Sequence, residues 1–154
     1  MVAGVIFMLK RRNGGFSLIE LLLVLIVLII ITSISAFGVY KLISYYKVRT
    51  FSEKLYSELE YARSLAYQKG SSEFRIENGY CNVYAPVGSS IPVVALKIPE
   101  NVNVTLSLSF SSVNQVFKRN GLPYYNGTIN VSGYGFTFKI VMDNISGRIY
   151  LEKG

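Results

Sequence analysis

Twenty-five residues from Phe16 to Tyr40 form a nearly uninterrupted apolar run, through Leu21, Leu22, Leu23, Val24, Leu25, Ile26, Val27, Leu28 and three isoleucines ending at Ile31. At 1.5 Å per residue, a helix of that length reaches about 37 Å, enough to cross a hydrocarbon core of about 30 Å with some tilt. The run therefore predicts a bilayer span. Basic residues flank it on both sides, Lys10, Arg11 and Arg12 before and Lys41, Lys47 and Arg49 after, so the charge rule does not orient it. A secretory signal peptide would end in a small-residue cleavage site and lose its apolar stretch. Here the small residues, Gly14 and Gly15, come first. One residue breaks the run: an ionised Glu20 would cost up to about 3 kcal/mol near the bilayer centre and less near its edge. A carboxylate there calls for a partner or a route to the interface.

The string Gly14-Gly15-Phe16-Ser17-Leu18-Ile19-Glu20, behind a basic leader and ahead of the apolar run, resembles the class III (prepilin) signal of type IV pilins and type II secretion pseudopilins. That resemblance implies cleavage after Gly15 by a prepilin peptidase, which is also the N-methyltransferase acting on the new terminal Phe16. It also implies an assembly role for Glu20, whose carboxylate would meet the terminal amine of a neighbouring subunit. The chemistry is coherent. Cleavage creates a cationic amine, N-methylation keeps its charge, and Glu20 lies about one helical turn away. Opposite charges in hydrocarbon neutralise each other. Ser17 stands where the family more often has threonine. Val2 to Met8 is apolar and untypical of such a leader, whereas initiation at Met8 would leave eight residues ending in Lys10-Arg11-Arg12-Asn13-Gly14-Gly15. Implied partners are other pilin or pseudopilin subunits, the peptidase, an inner-membrane assembly platform and the lipid bilayer. The implied location is the inner membrane, single-pass, with the C-terminal domain outside the cytoplasm and in a filament after assembly.

Beyond Tyr40, Phe51, Leu55, Leu59, Ala62, Leu65 and Ala66 form one helical stripe, and Lys69-Gly70 suits a helix end. Thr32, Ser33, Ser35 and Gly38 between the halves suit either a kink or close packing of membrane helices. From Ser71 the period changes to two. Asn78-Gly79 predicts a hairpin with Cys81 and Val83 opposite Ile76 and Phe74. Val102 to Phe110 and Tyr134 to Met142 alternate as half-buried antiparallel strands, with shorter candidates at Val93–Lys97, Gln115–Lys118, Thr128–Ser132 and Arg148–Glu152. The resulting expectation is an α+β pilin fold: a long N-terminal helix, membrane-spanning in its first half, packed on antiparallel sheet. Its parts are a leader over 1–15, a transmembrane half over 16–40, an amphipathic half over 41–70 and a β-rich region over 71–154. Ala62-Arg63-Ser64-Leu65-Ala66, Ile98-Pro99-Glu100-Asn101-Val102 and Gly147-Arg148-Ile149 are similar to the GspH/FimT group of minor pilins.

The chain has no histidine and one cysteine, Cys81, which excludes a Ser-His-Asp triad, a histidine-based zinc site and an intrachain disulfide. No two carboxylates share an evident site, so no catalytic residue, metal ligand or cofactor is assigned. Among pilins, too few acids for a calcium site and too few cysteines for a disulfide loop point to a minor subunit. Of the net charge of +7, Lys10, Arg11 and Arg12 carry three, leaving +4 for the remainder. A FimT-like subunit that captures DNA is the alternative. Lys118, Arg119, Tyr124 and Tyr125, with Arg148, could grip phosphates and stack bases. DNA-binding relatives are expected to carry a second arginine where this chain has Tyr150. The competing reading is a solvated turn whose tyrosines pack on the sheet. Four sequons, at Asn103, Asn126, Asn130 and Asn144, receive no role. Secretion machine and pilus remain equally open.

Overall fold

A computed structural model describes residues 16–109 and 114–154; the leader and Phe110 lie outside the described residues. Two compact units divide between Val39 and Tyr40. Helix α1, Leu18–Lys69, supplies the described part of the first unit and the opening of the second. In the first unit the large apolar side chains of the described residues are exposed, Leu25 at 50% and Ile30 at 54%. An 18-residue window of α1 has mean hydropathy 2.9, long and apolar enough to cross a membrane. The backbone stays helical through Thr32 and Ser33, whose hydroxyls donate to the Leu28 carbonyl (2.8 Å) and the Ile29 carbonyl (2.7 Å). Their polar groups are thereby satisfied within the helix, as hydrocarbon requires.

In the second unit the α1 stripe is buried. Phe51, Leu55, Leu59, Ala62, Leu65 and Ala66 are each at most 4% exposed. Each large side chain so buried contributes about 1.5–3 kcal/mol. Gly70, at φ +87°, ends the helix by donating its N–H to the Ala66 carbonyl. Eight strands follow: β1 Ser71–Glu77, β2 Tyr80–Tyr84, β3 Val94–Lys97, β4 Val102–Leu108, β5 Gln115–Lys118, β6 Gly127–Gly133, β7 Phe136–Met142 and β8 Ile149–Lys153. They form two antiparallel four-stranded sheets, β3-β2-β1-β5 and β4-β6-β7-β8. The break falls after β3, where Pro99 cannot donate to a ladder and Asn101 takes φ +61°. Phe74, Val83 and Phe117 from one sheet join Ile129, Val131, Phe138 and Ile140 from the other in a single core with the helix.

The Asn78-Gly79 turn sets Ile76 opposite Cys81 and Phe74 opposite Val83, as read from sequence. Cys81 is 2% exposed, and burial pushes its thiol up to about 12, so it is an inert core residue. Tyr134, expected within a strand, instead sits at φ +52° beside Gly135 at φ +80° in the two-residue turn joining β6 to β7. Two successive positive φ angles are the geometry a twisted hairpin needs. On the outer face of the first sheet, Arg75 pairs with Glu73 at 2.6 Å and lies over the Tyr84 ring. Next to them Glu77 accepts hydrogen bonds from Asn82 Nδ2 (3.1 Å) and the Tyr84 hydroxyl.

Candidate functional site

Of the expected processing site, Gly15 lies outside the described residues and Phe16 is 82% exposed. Ser17 caps α1: its hydroxyl accepts the Glu20 N–H (3.2 Å), and the Glu20 carboxylate accepts the Ser17 N–H (3.2 Å). This is a capping box, in which Ser at the cap and Glu three residues on satisfy each other's exposed amides. The Ser-x-x-Glu spacing of Ser17 and Glu20 is the sequence signal for it. Glu20 thus has a local role in starting the helix, and its carboxylate stays at the exposed helix end one turn from Phe16. That position suits a carboxylate able to meet a cation outside its own chain.

The DNA-contact candidates lie on two connections of the second unit. After β5 the chain turns through Arg119, Asn120 and Gly121, closed by the Lys118 N–H donating to the Leu122 carbonyl (2.9 Å). Gly121, at φ +70°, is required there, because a Cβ would also sit 2.4 Å from the Tyr67 ring. Lys118 Nζ lies 4.8 Å from the Tyr124 ring centroid, and Tyr124 meets Tyr125 edge to face at 4.9 Å. Arg119 is exposed and forms no ion pair among the described residues. Arg148 closes the turn between β7 and β8, where its carbonyl accepts the Asp143 N–H (2.9 Å). The two connections touch: Asn144 N–H donates to Asn126 Oδ1 (2.6 Å), and Gly147 leaves room for Leu122, whose Cδ2 would be 2.6 Å from an added Cβ.

The structure therefore joins Lys118, Tyr124 and Tyr125, and sets Arg148 on the neighbouring turn. Arg148 shares a cavity of about 690 Å³ with Arg63, which the sequence reading did not single out, and with Glu60 and Asp143. Arg63 pairs with Glu60 at 3.7 Å. Hydrogen bonds from the Ser146 hydroxyl and the Ile145 N–H hold the Asp143 carboxyl below the usual range, so it is ionised at neutral pH. Acids thus offset the arginines within this cavity. Among the described residues, no group of three or more Cys, Asp and Glu side chains could hold a metal ion.

Residues 10–36 match the family model described as the prokaryotic N-terminal methylation motif. No curated protein matches the sequence. The fold is similar to the crystal structure of the type IV minor pilin FimU from Pseudomonas aeruginosa strain PAO1, with a TM-score of 0.56 and 18% identity over 69% of this chain and 88% of that one. A long N-terminal helix packed on antiparallel sheets gives this α+β chain a fold similar to that minor pilin, and the N-terminal methylation motif stands at the head of the helix.

Proposed function

We propose that the chain is a minor pilin or pseudopilin, a structural subunit of a type IV pilus or type II secretion filament, similar to the GspH/FimT group. The observation that carries this reading is the methylation motif at the head of an exposed apolar helix whose second half enters the core of a separate β-rich unit. In this reading the prepilin peptidase removes residues 1–15 and methylates Phe16. The segment 16–40 holds the subunit in the inner membrane, and residues 41–154 stand outside the cytoplasm. The assembly platform then draws the helix from lipid into a filament, where Glu20 and the amine of another subunit's Phe16 neutralise each other.

Mass spectrometry of the membrane-extracted protein should find 139 residues beginning at N-methylated Phe16, and Gly15→Ala should leave the leader attached. A full-length leader in cells with active peptidase would refute the processing step. Glu20→Leu should insert at least as well as wild type and fold normally, yet enter filaments far less, as read by crosslinking to neighbouring subunits. Equal incorporation would show that Glu20 serves only its capping box.

The contact between the two connections favours DNA capture as a second reading, since it gathers Lys118, Tyr124 and Arg148 at one end of the unit. Lys118 already faces Tyr124 and Asp143 lies close to Arg148, which leaves Arg119 as the exposed cation without an ion pair among the described residues at this end. Full-length protein titrated with labelled duplex should show no submicromolar binding at physiological salt. Tight binding abolished by Lys118→Ala/Arg119→Ala would make DNA capture the function.

A further inference from the structure

We propose that the outward face of the second sheet binds a neutral oligosaccharide. Strand register places Ser107, Thr128, Val141 and Tyr150 in one row across β4, β6, β7 and β8, with Thr105, Asn130, Lys139 and Glu152 in the next. The row between them, Leu106, Ile129, Ile140 and Leu151, points inward to the core. Rows on one face are about 7 Å apart, and each spans about 14 Å across four strands. A shallow, solvent-open depression of about 700 Å³ lies over this face, lined by Ser107, Thr128, Asn130, Lys139, Asp143 and Tyr150.

The lining chemistry selects the ligand. The side chains of Ser107, Thr128, Asn130 and Lys139 make no hydrogen bond to any described residue, so donors and acceptors face the cavity unused. Hydroxyls and an amide offer both functions, which suits a ligand whose own hydroxyls both donate and accept. Tyr150, 43% exposed, adds a flat apolar ring with a polar tip, on which the C–H face of a sugar can stack. Lys139 and Asp143 balance in charge, so the cavity lacks the positive excess that a phosphate polymer requires. Serine, lysine and aspartate are also the residues depleted from protein interfaces. A neutral saccharide satisfies all of these features together.

The test uses full-length protein in micelles of a detergent without a sugar headgroup, with chitotetraose and maltotetraose as probes in saturation-transfer NMR. Saturable binding of at least one probe is expected. Tyr150→Ala and Asn130→Ala should each weaken it at least tenfold, and Tyr150→Phe should keep most of it. Unchanged melting temperatures would show that the variants fold; should Tyr150→Ala not fold, Asn130→Ala decides the outcome. The proposal is overturned if neither sugar binds saturably, if the alanine variants bind as wild type, or if only a sulfated tetrasaccharide or DNA occupies the face.

Discussion

Leu25 and Leu59 share a side chain and a helix, yet Leu25 is 50% exposed and Leu59 is wholly buried. Around Leu25 every side of the helix is apolar, with Leu21, Leu22, Leu23 and Val24 all exposed to about half or more. Around Leu59 only one stripe is apolar, and the sheets cover it. A helix apolar on all sides needs lipid or other helices, whereas an amphipathic one needs only its own domain. The same secondary structure thus suits two solvents. Leu59→Ala should therefore destabilise the second unit by about 2–5 kcal/mol, the cost of a cavity in a packed core. Leu25→Ala should leave that unit's unfolding unchanged when both full-length variants are denatured in the same detergent and followed by near-ultraviolet circular dichroism. Equal losses would mean that the two halves unfold as one body.

A pair of glycines sharpens the contrast at smaller magnitude. A Cβ on Gly133 would lie 2.6 Å from the Asn101 carbonyl oxygen and 3.3 Å from Val102, at the start of the β4–β6 pairing. Backbone cannot yield cheaply, so Gly133→Ala should cost about 1–3 kcal/mol in the same assay. A Cβ on Gly38, in the first unit, meets nothing within 4 Å. Gly38→Ala should instead strengthen the helix locally, by up to about 1 kcal/mol, read as slower hydrogen exchange around position 38. Faster exchange there would show that the glycine is needed for its flexibility.

The parts legible in sequence were those governed by local rules. The Phe51 to Ala66 stripe, the Asn78-Gly79 register and the change of period at Ser71 each follow from residue spacing, and the structure reproduces them. Tyr134 misled because its side chain continues the alternation of β7, while its backbone, followed by Gly135, makes the turn. The division into two sheets was hidden because strand pairing is nonlocal and β5 returns to β1 across three intervening strands. At the candidate sites, residue types could nominate Lys118 and Arg148, but not the acids beside Arg148 or the Lys118 contact with Tyr124. Those depend on which turns the sheets bring together.

The smallest expected effect concerns two carboxylates that each accept local hydrogen bonds, Glu20 at the head of the first unit and Glu77 on the outer face of the second. The Tyr84 hydroxyl, and after it the Asn82 amide, hold the Glu77 carboxyl below its ordinary value. A carboxyl depressed on folding contributes stability that is complete above its unfolded pKa, about 4.3, and that fades as pH falls through the folded value. Glu77→Gln keeps the shape but loses the charge that strengthens these bonds. Its deficit in unfolding midpoint should be largest at pH 6–7 and should close as the pH falls well below about 4, where wild type is protonated too. The deficit will be modest because the Glu77 carboxylate stays partly open to solvent. Glu20→Gln should leave the second unit's acid limb untouched, because the hydrogen bonds of its carboxylate within the chain go to Ser17 at the start of α1. A Glu77→Gln deficit that persists undiminished at pH 3 would assign the stabilisation to packing rather than charge, and an altered acid limb in Glu20→Gln would show that the two units are coupled.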